Sequence, residues 1–184
     1  MNKKIEIVED FVIEKDLVDS LRKEYKSKIE HLLTDSITNN QIIVAKTFRL
    51  RKNNKDNLNM DEVPFVRSLS EKVSKIFDFT DIVYRATIPN TAYDWHKDYE
   101  KLCYHLPLYT NLGCHFIFHN ECYHMEIGKL YRVENDAEHT FVNSGRTLRV
   151  HLVFNKMIVP TADERRRTTS QTWRNDFKKS NMYW

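Results

Sequence analysis

Two stretches in the first half of the chain carry the hydrophobic stripe of an amphipathic helix. Over Glu14–Leu33 and again over Pro64–Phe77, apolar residues recur every three to four positions among charged ones. Pro64 stands at the start of the second stripe, where the first turn of a helix tolerates proline. Between the two helices, Gln41–Arg51 is predicted as a strand and Asn53–Asn59 as a polar loop.

After Asp78 the hydrophobic period changes from helical to two, which is typical of β-strands. Turn residues separate the predicted strands, which are Ile82–Pro89, Lys101–Thr110, Gly113–His119, Cys122–Val133, His139–Asn143 and Thr147–Lys156. Helices followed by closely spaced antiparallel strands predict a mainly β (α+β) fold, a double-stranded β-helix or jelly roll of the cupin type. In this fold the N-terminal helices pack on one face and a short helical tail follows at the C-terminus.

The length of 184 residues suits a single domain. We expect residues 1–80 to form a helical support region with one strand, residues 81–158 to form the jelly-roll core, and residues 159–184 to form a basic tail. The net charge of +3 lies entirely in residues 161–184, because the preceding segments are balanced. Such a tail could contact nucleic acid, although a short basic helix is more often a solvated face.

Composition excludes several classes of protein. The chain has 3 glycines, too few and too scattered for the phosphate-binding loops of Walker NTPases, Rossmann dehydrogenases or kinases. No stretch is long and apolar enough for a membrane span, and no signal peptide is evident. The 3 cysteines include no C-x-x-C pair, which favours reduced thiols over disulfides or structural zinc. We therefore expect a soluble cytoplasmic protein without a membrane partner.

Alternation along two strands places polar side chains on one face. In Thr147–Phe154, Arg149 and His151 share a face opposite Leu148, Val150, Leu152 and Phe154. In Lys101–Tyr109, Cys103 and His105 likewise oppose a leucine-rich face. These polar faces point either to solvent or into the barrel, and inside the barrel Arg149 would need an anion.

His96 and Asp98 are two residues apart, so they project from the same side of an extended segment. His139 begins a late strand, which a jelly roll would bring beside an early one. Two imidazoles and one carboxylate are the facial ligand set of non-haem Fe(II) oxygenases. Taken alone, however, a histidine and an aspartate at this spacing also suit an ordinary surface loop.

The region from Ile82 to Phe154 resembles the 2-oxoglutarate- and Fe(II)-dependent oxygenases of the aspartyl/asparaginyl β-hydroxylase-like superfamily, which includes cis-hydroxylases of free proline. Five blocks in the family's order carry the resemblance: His96-Lys97-Asp98, Cys103 to Leu108, Glu126 to Tyr131, Asn135 to Asn143, and Arg149. Arg149 follows His139 by ten residues, the family's separation for the arginine that binds 2-oxoglutarate.

The resemblance implies roles for individual residues. His96, Asp98 and His139 would bind the iron, Arg149 would bind the distal carboxylate of 2-oxoglutarate, and His105 would line the cosubstrate pocket. We place His151 beside Arg149 in that pocket, with a satisfied core histidine as the alternative. The implied reaction consumes 2-oxoglutarate and O2, releases succinate and CO2, and hydroxylates an unactivated C–H bond.

The sequence departs from the family pattern at two positions. Aspartyl β-hydroxylase lacks a carboxylate at the position of Asp98, so the chain looks more like the members with a complete triad. Cys103 stands where the β-hydroxylase pattern has a basic residue, and Arg85, Arg132 or Arg146 are candidates to replace it. We expect a small-molecule substrate such as a free amino acid, with a peptide or protein left open and nucleic acid not favoured.

Two other functions compete with this interpretation. One is a non-catalytic jelly-roll binding module that uses its basic tail for nucleic acid. The other is a cupin-type metalloenzyme that does not use 2-oxoglutarate. Arg149 separates them, because only a 2-oxoglutarate enzyme needs a carboxylate-binding arginine on the barrel-facing strand.

Overall fold

The computed structural model describes residues 4–37, 43–98, 102–118, 121–135 and 137–156. Both predicted helices are present. The helix α1 (Lys15–Glu24) continues through a π-helical turn, Tyr25–Ile29, and a 3-10 turn, Glu30–Leu32. A 3-10 turn at Met60–Glu62 precedes α2 (Pro64–Val73), which begins with the proline at its first position. No helix among the described residues is long and apolar enough to cross a membrane.

A buried carboxylate joins the two helices. The side chain of Glu24, at the end of α1, accepts hydrogen bonds from the backbone N–H groups of Phe65 and Val66, both at 3.1 Å. These N–H groups belong to the first turn of α2 and have no partner within that helix. Glu24 therefore caps α2 from outside it and fixes the two helices against each other.

Two antiparallel sheets form the rest of the described structure. The larger sheet has the strand order β1-β10-β7-β12-β5-β3-β2, with β4 paired to β3, and the smaller sheet has the order β6-β11-β8-β9. The strands are β1 (Ile5–Ile7), β2 (Thr34–Ile37), β3 (Ile43–Lys52), β4 (Lys55–Asp56), β5 (Asp81–Thr87), β6 (Thr91–Ala92), β7 (Leu102–Tyr109), β8 (Cys114–Phe118), β9 (Glu121–Tyr123), β10 (Tyr131–Glu134), β11 (Thr140–Asn143) and β12 (Arg149–Asn155). The predicted jelly roll with helices on one face is confirmed.

Two predictions about individual strands are wrong. The described part of residues 1–80 contains β1, β2 and β4 in addition to the one strand predicted there. These strands have two to four residues, too few for alternation to register. The connection between β3 and β4 is a tight hairpin, because Asn53 and Asn54 adopt φ values of 50° and 62°.

The predicted strand Cys122–Val133 is in fact two strands. Its first part is β9 in the smaller sheet and its last part is β10 in the larger sheet. Between them Gly128 adopts φ +79° and the backbone crosses from one sheet to the other. The connection between β9 and β10 contains the apolar residues Met125 and Leu130, both of which are buried. The hydrophobic pattern therefore continues through the connection and does not show where one strand ends and the next begins.

The hydrophobic core lies in two layers. The larger cluster packs α1 and α2 against the outer face of the larger sheet, through residues such as Leu21, Leu69 and Leu152. The smaller cluster fills one end of the space between the two sheets, where Phe116 and Val153 meet. The remaining space between the sheets is lined by polar and apolar side chains and contains the candidate site. The predicted C-terminal helical tail, residues 159–184, lies outside the described residues, and the single-domain organisation stays a prediction.

Candidate active site

His96, Asp98 and His139 come together between the two sheets. His96 and His139 face each other across an isolated antiparallel bridge, in which each backbone N–H donates to the other's carbonyl oxygen at 2.9 Å. Asp98 Oδ1 lies 3.7 Å from His96 Nε2, and Asp98 Oδ2 lies 3.8 Å from His139 Nε2. One ligand atom from each residue lies within 4.8 Å of the others, in the only such group of three among the described residues.

The hydrogen bonds of the two imidazoles suit a metal site. His96 Nδ1 donates to the carbonyl of Asp94 at 2.7 Å, and His139 Nδ1 donates to the carbonyl of Ala137 at 2.9 Å. A carbonyl oxygen only accepts, so both rings carry a hydrogen on Nδ1, and in the neutral form of each ring the lone pair lies on Nε2. This is the arrangement that outer hydrogen bonds give to metal-ligating histidines. Burial lowers the pKa of His139, which favours the neutral, ligating form.

Asn135 holds the carboxylate of Asp98. Its side-chain Nδ2 donates to Asp98 Oδ2 at 2.8 Å, and its backbone carbonyl accepts from the backbone N–H of Asp98 at 3.1 Å. The same Nδ2 also donates to the thiol sulfur of Cys103 at 3.1 Å. Asn135 belongs to one of the blocks that resemble the family, but the sequence assigns it no role. Its contacts with Asp98 and Cys103 join positions far apart in the chain.

Arg149 is buried between the sheets, with 5% of its surface exposed, and no described carboxylate pairs with it. Its Nη1 donates to Thr87 Oγ1 at 3.3 Å and its Nη2 donates to His151 Nδ1 at 3.0 Å. The ring of Phe141 lies 5.5 Å from the guanidinium carbon. Burial lowers the pKa of Arg149 to about 10, so the guanidinium remains charged at neutral pH. A buried cation without a carboxylate is expected to bind an anion.

His105 and His151 lie side by side next to Arg149. Because His151 Nδ1 accepts from Arg149, the 3.2 Å contact with His105 Nδ1 requires His105 to donate. His105 Nε2 then accepts from the Cys103 thiol at 3.1 Å. Burial first, and the charge of Arg149 second, hold the pKa of both imidazoles well below the usual range, so both are neutral. A chain of hydrogen bonds thus runs from Asp98 through Asn135 and Cys103 to Arg149.

One cavity connects the metal-ligand cluster with Arg149. Its volume is about 250 Å³, and His96, Asp98, His139, His105 and Arg149 are among its lining residues. Of the three arginines considered as replacements at the Cys103 position, only Arg85 lines this cavity. Arg132 pairs with Glu6 and Glu134 on the outside, and Arg146 is exposed.

The other histidines do not form a comparable group among the described residues. His115 and His124 have ring centres 6.0 Å apart, and His124 Nδ1 donates to the carbonyl of Cys114. Cys122 is exposed on β9. His119, the fourth member of that sequence cluster, lies outside the described residues.

Comparison with known proteins places the chain in a family. Residues 11–157 match the family described as aspartyl/asparaginyl beta-hydroxylase. A search of curated proteins finds no relative by sequence.

Several solved structures share the fold at low sequence identity. The chain is similar to a prolyl hydroxylase from Trichoplax adhaerens in complex with a hypoxia inducible factor peptide, at 10% identity and TM-score 0.59, over 92% of this chain and 88% of that one. It is also similar to a viral collagen prolyl hydroxylase from Paramecium Bursaria Chlorella virus-1 (10% identity, TM-score 0.54, 83% and 95% covered). A third is a Pseudomonas putida prolyl-4-hydroxylase (14% identity, TM-score 0.50, 79% and 89% covered).

These findings confirm the resemblance stated from sequence and the jelly-roll fold. They also confirm the prediction of a 2-oxoglutarate-dependent hydroxylase that uses Fe(II) and O2, because the family match coincides with a cavity that holds two histidines and a carboxylate beside a buried arginine. The match spans the helical support region as well as the jelly roll. The chain belongs to the aspartyl/asparaginyl β-hydroxylase family.

Proposed function

We propose that this protein hydroxylates an unactivated C–H bond of a free amino acid or a similar small molecule. One atom of O2 enters the substrate as a hydroxyl group and the other enters succinate, while 2-oxoglutarate loses CO2. The observation that carries the proposal is the meeting of His96, Asp98 and His139 in one cavity with Arg149, which no described carboxylate pairs with.

His96, Asp98 and His139 would hold the iron. Their donor set is the two-histidine, one-carboxylate set that leaves coordination positions open for other ligands. Bound Fe(II) would supply the activation of O2 and the oxidation of the C–H bond. The backbone carbonyls of Asp94 and Ala137 accept from Nδ1 of the two rings, which leaves Nε2 of each neutral ring to bind the metal, and the side-chain amide of Asn135 donates to the carboxylate of Asp98.

Arg149 would bind the distal carboxylate of 2-oxoglutarate. Thr87 and His151 hold the guanidinium in place through one hydrogen bond each. A planar guanidinium binds a carboxylate through two parallel hydrogen bonds, so it fixes orientation as well as charge. His105 and His151 are both neutral, so they lie next to Arg149 without adding charge.

The size of the cavity supports a small substrate. A volume of about 250 Å³ lies below the range typical of sites for drug-sized ligands, and the cosubstrate would occupy part of it. Tyr93 and Phe141 stack with ring centres 4.8 Å apart beside His96 and form the apolar wall. A substrate with a short aliphatic skeleton fits such a space.

Anaerobic spectroscopy tests the iron and cosubstrate sites without knowledge of the substrate. Adding Fe(II) and 2-oxoglutarate to the wild type is expected to give a weak visible metal-to-ligand charge-transfer band. His139→Ala should abolish the band, because one iron ligand is lost. Arg149→Ala should shift its half-saturation to at least about 100-fold higher 2-oxoglutarate, because a buried charge pair is lost.

Two surface variants are the matched controls. His31→Ala removes an exposed imidazole and Arg132→Ala removes an arginine on the outside of the larger sheet. Both should keep the wild-type band and half-saturation. A folded, iron-loaded wild type without a band would refute the proposed function.

A further inference from the structure

Arg85 is a second cation in the cavity for which the cosubstrate chemistry gives no role. Its side chain lines the cavity from β5 and is half-buried. No described carboxylate pairs with it, whereas Arg49 at the edge of the same cavity pairs with the buried Asp81 at 2.7 Å. A partly buried guanidinium that no described carboxylate neutralises has hydrogen-bond donors available to bind an anion.

The three cavity arginines form a diagonal across the inner face of the larger sheet. Arg149 on β12 lies opposite Thr87 on β5, and Arg85 lies two residues before Thr87 on the same face. Arg85 in turn lies opposite Thr47 on β3. Arg49 follows Thr47 by two residues and therefore points to the same face. Burial decreases along the diagonal, from 5% exposure at Arg149 to a side-chain exposure of 36% at Arg49. Arg85 therefore lies between the deep cosubstrate pocket and the mouth.

Charge balance leaves Arg85 for the substrate. When Fe(II) and 2-oxoglutarate are both bound, the two positive charges of the iron balance the two carboxylates of the cosubstrate. Asp98 balances Arg149, and Asp81 balances Arg49. Among the charged groups of the cavity that the structure describes, the charge of Arg85 is the one that remains, and a substrate carboxylate would form an ion pair with it.

Position separates Arg85 from the missing basic residue of the family pattern. That residue would stand at Cys103 on β7, beside Asn135 and Asp98. Arg85 is on β5, and β12 lies between β7 and β5 in the sheet. Arg85 thus enters the cavity from a strand two positions away from β7 in the same sheet, and not from the Cys103 position.

We propose that Arg85 binds the α-carboxylate of a free amino-acid substrate. This inference rests on the proposed function and names the group that the site recognises. Such a contact would select free amino acids over internal residues of a peptide, because an internal residue has no free α-carboxylate. Arg85 is then a specificity-determining residue that holds the substrate between Arg149 and the mouth of the cavity.

The test compares free amino acids with their carboxamides. Succinate formation is measured with each of the twenty standard amino acids and with the matching carboxamides, for wild type, Arg85→Gln, Arg85→Lys and the exterior control Arg132→Gln. The 2-oxoglutarate half-saturation of the anaerobic band is measured for the same proteins. The band reports on the proposed function, and the substrate comparison reports on Arg85.

In wild type and Arg132→Gln, at least one free acid should stimulate succinate formation, with kcat/KM at least about 100-fold above that of its carboxamide. Arg85→Gln should lose about 100-fold in kcat/KM for the acid, mainly through KM, and should remove the difference between acid and amide. Its 2-oxoglutarate half-saturation should stay within about 3-fold of wild type. Arg85→Lys should recover part of the lost kcat/KM, since lysine keeps the positive charge but cannot form the two parallel hydrogen bonds of a guanidinium.

Three results would overturn the assignment while leaving the proposed function intact. The first is equal turnover of acid and amide by the wild type. The second is a rise in 2-oxoglutarate half-saturation in Arg85→Gln as large as in Arg149→Ala, which would make Arg85 a cosubstrate ligand. The third is a normal band with no stimulation by any free amino acid. Absence of the band in wild type would instead refute the proposed function itself.

Discussion

The two faces of the larger sheet are built from the same strands, but one face packs against the helices and the other lines the cavity. On β12, Val150, Leu152 and Phe154 point outward into the helix-covered core, whereas Arg149 lines the cavity on the inner face and the buried His151 contacts it there. Strands β5 and β7 divide in the same way. Alternation lets each strand contribute stability on one side and chemistry on the other.

The inner face carries features that cost stability. It buries two neutral imidazoles and a guanidinium that no described carboxylate pairs with, and His151 Nε2 likewise has no hydrogen-bond partner in the described part of the chain. Such groups lose their hydration and regain only part of it from the protein. The outer face offsets this cost by burying a largely apolar surface against α1 and α2. Its polar exceptions include the hydroxyl groups of Tyr25 and Tyr84, which are buried without a hydrogen-bond partner among the described residues. Substitutions on the two faces should therefore be separable by what they change.

The largest expected effect on stability comes from the outer face. Leu152→Ala should lower the free energy of unfolding by about 2–5 kcal/mol, because it leaves a cavity beneath the helices. Urea denaturation measures the loss. The Fe(II) and 2-oxoglutarate affinities of the folded variant should equal those of wild type. A change of 10-fold or more in either affinity would contradict the separation of the two faces.

The next effect concerns the inner side. Asn135→Ala should weaken Fe(II) binding by about 10–100-fold, because the carboxylate of Asp98 loses the group that orients it. Anaerobic Fe(II) titration measures this change. Leu152→Ala is the matched control, since it should lower the free energy of unfolding without changing the affinity for Fe(II). Equal iron affinity in wild type and Asn135→Ala would show that Asp98 needs no support from this amide.

The smallest effect is a pH dependence. Burial holds the pKa of His151 well below its usual range, so only the unfolded chain takes up this proton as the pH falls below about 6.5. The stability that the neutral imidazole provides is complete above about pH 6.5 and is lost progressively below it. His151→Asn should reduce the slope of unfolding free energy against pH, between pH 6.5 and 5, by up to about 1.4 kcal/mol per pH unit.

Denaturation at several pH values measures that slope. The exposed His31→Asn is the control and should keep the wild-type slope, because its ring is in solvent in both states. A wild-type slope in His151→Asn would mean that the imidazole does not stay neutral in the folded protein.

The sequence by itself determined the outline of the fold. The helical period over α1 and α2 and the period of two after Asp78 follow from which side chains must leave water, and they predicted the helices, most strands and the two faces of β7 and β12. The family blocks pointed to the residues that meet in the cavity. The sequence pattern did not predict short edge strands such as β1 and β4, because a strand of two or three residues is too short to show a period of two.

Only the tertiary structure decided how the cavity is organised. Asn135 meets Asp98 and Cys103 across 37 and 32 positions, and His105 meets His151 across 46. Arg85, Arg132 and Arg146 were equivalent in the sequence, and only strand register places Arg85 alone among them in the cavity. Hydrogen-bond partners and burial depend on which strands become neighbours, and that choice is made by the packing of the whole chain rather than by any local pattern.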